Sequence, residues 1–225
     1  MRTSIDIITQ IVIHDLAIEA ITLLQFPTTP LLQERLSMNG NAEKSLAHAL
    51  DLRSRYNIPF WEGLMNAQFQ PPAFTPTLLK EALHHNQVLS QVTVKRSDLY
   101  RLKEFSALVS ENYGINSQVY CKDDQTRHIV LLDFHLPKQP ENIVCAESVL
   151  KILGLTGYLL ETNKSYHFIS DRTVSEQDLK NVLYRALLFS PIIDKNWIAH
   201  QLLEGSCTLR ITAKDGSLPQ VIREI

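Results

Sequence analysis

The sequence predicts an α+β fold with a helical N-terminal region and a ferredoxin-like antiparallel sheet in the C-terminal half. Apolar residues recur at helical intervals through residues 1–87, whereas residues 88–225 alternate short β-branched runs with amphipathic segments. Residues 128–213 read strand, helix, strand, strand, helix, helix, strand, which is the split βαβ pattern. We therefore expect a helical accessory region over 1–87 and an α+β domain over 88–225.

The first half is predicted from its helical periodicity and its prolines. Near the N-terminus, apolar residues at spacings of three and four form one face, which indicates an amphipathic helix. Prolines break the chain after this helix and again between the later segments. Three helices are expected, over about residues 5–16, 41–56 and 75–85.

The second half is predicted from β-branched runs, capping signals and chain breakers. The T-x-x-E sequence at residues 173–176 is typical of a helix start, and Gly114 and Pro191 are typical of helix ends. The continuous apolar run at residues 129–132 indicates a central strand that is buried on both faces. The predicted strands cover residues 91–95, 117–121, 128–136, 158–161, 166–170, 207–213 and 220–224. The predicted helices cover residues 98–112, 141–153, 173–189 and 195–203.

The composition is that of a folded chain without a strong charge bias. The 225 residues are 44% hydrophobic and 20% charged, with a net charge of −2. This balance argues against binding of nucleic acid by bulk positive charge, although it is compatible with a metal-assisted phosphate site. Three scattered cysteines predict free thiols rather than a zinc site or disulfides. Charged residues within the N-terminal apolar stretch argue against a signal or membrane segment, so we expect a cytoplasmic protein without membrane contact.

Polar side chains end the most apolar of the predicted strands. Asp133 and His135 lie two residues apart and therefore point to one face of the sheet. His167 belongs to the strand expected beside it, because the first and third strands of a split βαβ sheet are neighbours. An open sheet face with one Asp and two His is a suitable place for a divalent cation with a phosphate. Asp194, before the last strand of the pattern, is a candidate second carboxylate.

Three basic residues lie nearest to these strands. They are Lys164, Arg172 and Arg210. Each is a candidate for holding phosphate groups, and the Arg210 guanidinium has the geometry for a bidentate contact.

These residues resemble the core motifs of the archaeo-eukaryotic primase superfamily, the primase-polymerases. That family has an apolar strand ending in Asp-x-Asp, then small-x-His on a later strand, then an apolar residue with an Asp before a Leu-Arg strand. The corresponding segments here, in the same order, are LLDFH (131–135), SYH (165–167), IID (192–194) and LRI (209–211). The resemblance covers about residues 115–225.

The resemblance implies an RRM-like sheet and a nucleotidyltransferase that uses nucleoside triphosphates and a single-stranded DNA or RNA template. Asp133 and Asp194 would then be catalytic residues that bind Mg²⁺ or Mn²⁺. His167 would contact the phosphates of the incoming nucleotide, supported by Arg210. His135 stands where the family has a second acid, so as a metal ligand it would favour Mn²⁺ or mark an altered, even inactive, site.

Each candidate also has a structural alternative. Asp133 can cap a turn, and Asp194 can be the N-cap of the helix that follows it. His135 can be a rim residue, and His167 can be a hydrogen-bonded histidine of the sheet. The whole sheet can instead be a non-catalytic module that binds a nucleotide, RNA or a protein, with the N-terminal helices as a surface for a protein partner.

Overall fold

Antiparallel strands dominate the computed structural model, which describes residues 2–27, 32, 40–68, 76–83, 88–107, 111–213 and 216–225. These residues contain eight α-helices and eight strands. The helices α1 to α8 are Ser4–His14, Gly40–Tyr56, Phe60–Gln68, Pro76–Ala82, Arg101–Ala107, Pro140–Leu153, Glu176–Leu187 and Lys195–Glu204. The strands β1 to β8 are Ile18–Phe26, Ser90–Lys95, Asn112–Cys121, Thr126–Phe134, Gly157–Glu161, Tyr166–Val174, Thr208–Arg210 and Gln220–Glu224.

The chain divides into two compact units. Met1–Phe26 belong with Leu89–Ile225, and Pro27–Val88 form the other unit. Helices α2, α3 and α4 lie in this second unit and have an apolar core of their own. Its buried residues are Leu32, Ala42, Leu46, Ala49, Leu64, Leu78 and Ala82.

Ile18–Phe26 is the strand β1, although it lies within residues 1–87, which are expected to be a helical region. It pairs antiparallel with β2 on one side and with β3 on the other. Apart from exposed Glu19, the residues of β1 are buried as far as Leu24. A strand buried on both faces shows no apolar alternation, so periodicity does not distinguish it from a helix. The segment up to Phe26 therefore belongs to the unit that contains the sheet, and the helices α2, α3 and α4 follow it.

One antiparallel sheet runs through the larger unit in the order β2–β1–β3–β4–β6–β5–β8. β4 is its middle strand, and the side chains from Ile129 to Leu132 are fully buried, as predicted for a central strand. β6 pairs directly with β4, which confirms the expected neighbour relation. These features confirm the α+β class and the sheet-rich C-terminal half.

β7 enters the sheet where β3 and β4 separate. β3 pairs with β4 at Gln118–Tyr120 and with β7 at Gly114–Asn116. Ser117 lies between these two ladders, where its hydroxyl accepts a hydrogen bond from Cys207 N at 2.9 Å and lies 3.0 Å from His128 Nδ1. The last strand of the predicted pattern therefore forms its ladder with β3.

Two predicted helix signals have other roles. Gly114, predicted to end a helix, lies inside β3, where a Cβ would come within 2.6 Å of Thr208 Cγ2. Glycine there allows β3 and β7 to approach closely. The predicted cap at residue 173 is also displaced, because Thr173 still belongs to β6. Helix α7 instead begins at Glu176 after the N-cap Ser175.

Cys121, Cys145 and Cys207 are free thiols, as predicted. Within the described part of the chain, no helix combines the length and the apolar character needed to cross a bilayer.

Candidate functional site

The centre of the candidate site is a pair of side chains on the two central strands. The register places Asp133 of β4 directly opposite His167 of β6. Directly opposed residues share a face of the sheet, and His167 Nε2 lies 3.6 Å from Asp133 Oδ1. The His167 side chain is 10% exposed and the Asp133 side chain 34%. The two groups therefore lie together as expected, with the carboxylate more open to solvent than the imidazole.

The segment 192–194, the third predicted motif, lies beside the end of β4, on the side opposite β6. Phe134 and Ile193 form an antiparallel bridge, and Asp194 N donates to Asp133 O at 3.3 Å. The side chains of Phe134 and Ile193 are buried in the core. Because side chains alternate along extended backbone, Asp133 and Asp194 both lie on the face away from that pair. The structure thus brings the two predicted carboxylate residues to adjacent backbone positions.

Asp194 is also the N-cap of α8. Its Oδ1 accepts hydrogen bonds from Asn196 N at 2.9 Å and from Trp197 N at 3.3 Å. This confirms the structural alternative for Asp194, and a cap of this kind stabilises a helix by about 1 kcal/mol. A carboxylate has two oxygens with about four lone-pair sites, so the cap is compatible with a second role.

His135 lies one residue beyond β4, and its N–H donates to Ile192 O at 2.8 Å. The described residues contain no group of three or more His, Cys, Asp or Glu side chains placed to hold a metal ion. Asp133, His135 and Asp194 therefore do not form a closed site, and their roles as metal ligands stay predictions. The two carboxylates suit a hard cation that takes its other ligands from water and nucleotide phosphates.

Arg210 on β7 brings a positive charge near His167. Burial, together with the smaller effect of the Arg210 charge, lowers the pKa of His167 to about 3. The Asp133 carboxylate oxygen lies 3.6 Å from the His167 ring, which is longer than a hydrogen bond. His167 is therefore neutral near pH 7 and has one N–H to donate. Arg210 is oriented by a 2.7 Å hydrogen bond from Nη1 to Thr212 O.

The two remaining basic candidates lie at different ends of the sheet. Lys164 is exposed in the turn between β5 and β6, three residues before His167, and so lies at the same end as Asp133. Arg172 lies five residues after His167 on β6, about 16 Å further along the strand. Its side chain is 80% exposed and lies 4.0 Å from Asp171 Oδ1. Arg172 therefore lies away from Asp133, His167 and Arg210.

His200 is a buried residue near the site that the sequence did not single out. Burial lowers the pKa of His200, and the nearby Asp194 carboxylate opposes this effect. No local motif marks His200. The one sequence feature that points to His200 is its position in the helix that Asp194 was predicted to cap.

A family comparison matches this part of the chain. The family described as AEP-like, archaeo-eukaryotic primase 1D-like, matches residues 94–223, which are more than half of the 225 residues. No curated protein and no solved structure matches the chain significantly. At the level of the family, the match supports a primase-related nucleotidyltransferase-type function with nucleotides and nucleic acid as ligand classes. The matched range contains all the candidate residues described above, and the chain belongs to the archaeo-eukaryotic primase 1D-like family.

Proposed function

We propose that the protein is a primase-polymerase-type nucleotidyltransferase that extends the 3′-hydroxyl of a strand on a single-stranded DNA or RNA template. The observation that carries the proposal is the Asp133–His167 pair with the Arg210 charge beside it. A negative, a neutral and a positive group on three strands of one sheet provide separate places for a cation and for phosphates.

The phosphate side of the site consists of Arg210 and His167. The guanidinium of Arg210 keeps its charge at every physiological pH, and a hydrogen bond to a charged group contributes about 1.5–3 kcal/mol. His167, as a neutral imidazole, donates its N–H to a phosphate oxygen. Because the pKa of His167 is about 3, its charge does not change near neutral pH. Lys164 lies at the same end of the sheet and adds positive charge for the outer phosphates.

The cation side consists of Asp133 and Asp194, which would hold Mg²⁺ or Mn²⁺. When bound, this ion supplies positive charge that balances the triphosphate. His135, if it completes the ligand set, favours Mn²⁺, because imidazole suits transition metals better than Mg²⁺.

In the transfer step, the 3′-oxygen forms a bond to the α-phosphorus of the bound triphosphate. The bond from that phosphorus to the oxygen of the β-phosphate breaks, pyrophosphate leaves, and the hydroxyl proton passes to water. Arg210 and His167 contribute by holding the phosphates in one orientation and by neutralising their charge.

Primer extension on single-stranded DNA tests the proposal, with Mg²⁺ and Mn²⁺ in parallel reactions. We expect incorporation by the wild type and a loss of roughly 100-fold in Asp133→Asn, because the substitution keeps the shape and removes the charge. Asp124→Asn is the matched control, since Asp124 lies in the β3–β4 turn with φ of 57°, which Asn also adopts. Folded wild-type protein that incorporates nothing with either ion would rule out the enzymatic function.

A non-catalytic nucleotide-binding module is the second candidate. It is favoured by the near-complete burial of His167 and by the lack, among the described residues, of a three-side-chain metal site. Calorimetric titration with ATP, with and without Mn²⁺, separates the two. Binding that needs neither Mn²⁺ nor Asp133, without any incorporation, is the result expected for the module.

A further inference from the structure

The hydroxyl of Ser165 joins the β5–β6 turn to the end of β4. It donates a hydrogen bond to Phe134 O and accepts one from Leu136 N at 3.2 Å. These two groups flank His135, whose own N–H donates to Ile192 O at 2.8 Å on the opposite edge. The backbone around His135 is therefore held from both sides, on one side by a single side chain.

A side chain is needed here because the ladder between β4 and β6 ends at Phe134 and Tyr166. Before Tyr166, the chain turns away from β4. The turn is closed by Thr162, whose N–H donates to Ser165 O at 2.8 Å and whose Oγ1 accepts from Ser165 N at 3.1 Å. Ser165 is thus fixed in place, and its hydroxyl supplies the partner that the Leu136 N–H needs.

The loop after His135 has separate attachments to the same hairpin. Tyr166 Oη accepts from Gln139 N at 2.9 Å and donates to Gln139 O at 3.1 Å. Lys138 Nζ lies 2.6 Å from Glu161 Oε1. These contacts hold the later part of the loop, so the loss of the Ser165 hydroxyl acts mainly on the backbone at His135.

We propose that Ser165 is a positioning residue of the nucleotide site, because its hydroxyl holds Asp133 and His135 in register with His167. This inference rests on the proposed function, since it assigns Ser165 a role in binding the metal–nucleotide complex. Partners that orient ligand residues from behind typically change metal affinity by about 10-fold to 100-fold when they are removed.

Calorimetric titration of the full chain with ATP in the presence of Mn²⁺ tests this role. We expect Ser165→Ala to bind about 10-fold more weakly than the wild type. Ser165→Thr keeps the hydroxyl and should restore most of the affinity. Ser148→Ala is the matched control, because Ser148 Oγ donates to a backbone oxygen, Val144 O, at 2.8 Å on the exposed side of α6.

Two outcomes overturn the proposal while the function stands. The first is folded Ser165→Ala that binds as tightly as the wild type. The second is rapid hydrogen exchange of the Leu136 amide in the wild type, because it would show that the hydrogen bond to Ser165 is not formed. This result is informative even if Ser165→Ala does not fold. Slow exchange in the wild type and in Ser165→Thr is the expected result. If the wild type itself does not bind ATP with Mn²⁺, the proposed function fails and the positioning role fails with it.

Discussion

Two opposed residues, Asp133 and His167, differ in their exposure to solvent. The carboxylate is partly open to water, whereas the imidazole lies almost entirely within the protein. Removing an imidazole from water disfavours its charged form, and the charge of Arg210 acts in the same direction. The site therefore has a neutral imidazole within 3.6 Å of a carboxyl oxygen that is more exposed to water.

The depressed pKa of His167 predicts a pH dependence of stability. Between about pH 3 and pH 6.5, the unfolded chain binds a proton at this residue that the folded protein does not, so stability rises with pH across this window. His167→Gln should reduce the difference in unfolding free energy between about pH 4 and pH 7 by on the order of 1 kcal/mol or more. Urea unfolding at the two pH values measures it, with His14→Gln on the exposed last turn of α1 as control. An unchanged difference in His167→Gln would contradict the buried, neutral state of His167.

At the scale of elements, apolar runs, capping residues and chain order predict the strands, helices and pairings that these local signals specify. The apolar run of β4, the helix after Asp194 and the pairing of β4 with β6 are confirmed, because alternation, capping and a chain-order pattern specify them. β1 was missed because burial on both faces removes its alternation. The predicted role of Gly114 was wrong because the sequence alone does not distinguish a glycine that ends a helix from one that lets two strands approach closely.

The candidate site was also predictable only where local patterns specify it. Asp133 and His167 follow from alternation on neighbouring strands, so the sequence sufficed to bring them together. The contacts of Ser165 and His200 depend on how a turn and a helix pack against β4 and Asp194, and no local spacing encodes that packing. The separation of Arg172 from the site was equally hidden, because the predicted β6 ended before it.

Asp194 combines a structural and a proposed chemical role, and two substitutions separate them. Asp194→Asn should keep the N-cap, since Asn caps helices as well as Asp does. Asp194→Ala should lose about 1 kcal/mol of unfolding free energy. Both variants should bind ATP with Mn²⁺ more weakly, because both lack the charge. Calorimetry measures the binding of ATP, and urea unfolding measures the stability. If Asp194→Asn binds ATP as tightly as the wild type, Asp194 acts only as the N-cap.

Gly157 begins β5 in a conformation that L side chains rarely adopt, with φ of 147°. A Cβ there would lie 2.3 Å from Ile169 O and 2.7 Å from Ser170 Cα, both backbone atoms of β6. Gly157→Ala should therefore cost more than about 3 kcal/mol of unfolding free energy. Gly205→Ala is the control, because its φ is 72° and nothing lies within 4 Å of the added methyl, so about 1–2 kcal/mol is expected. Equal costs by urea unfolding would contradict the close approach of β5 and β6.

At the scale of the whole molecule, the unit Pro27–Val88 is an insertion into a β-hairpin. β1 and β2 pair antiparallel, and Gln25 lies opposite Ser90 on either side of the inserted unit. The ends of the insertion therefore meet adjacent positions of one ladder. Each unit also has its own buried core, which is what independent folding requires.

Replacement of residues 27–88 by Asn-Gly tests this organisation. The two residues form a tight turn that matches the twist of the flanking strands, so β1 and β2 should pair as before. We expect the shortened chain to unfold cooperatively and to keep the NMR amide shifts of β4 and β6. A shortened chain without dispersed amide shifts would show that the sheet needs the inserted helices to fold. A role of these helices in binding a protein partner stays a prediction.

The central claim is that nucleotide phosphates bind beside His167 and Arg210. The most direct measurement is the NMR signal of the His167 imidazole during titration with ATP and Mg²⁺, in the wild type, Arg210→Gln and the matched control Arg172→Gln. We predict a saturable shift of this signal in the wild type and in Arg172→Gln, and binding at least about 10-fold weaker in Arg210→Gln. A His167 signal that does not move while ATP binds, or equal binding by Arg210→Gln, would contradict the account.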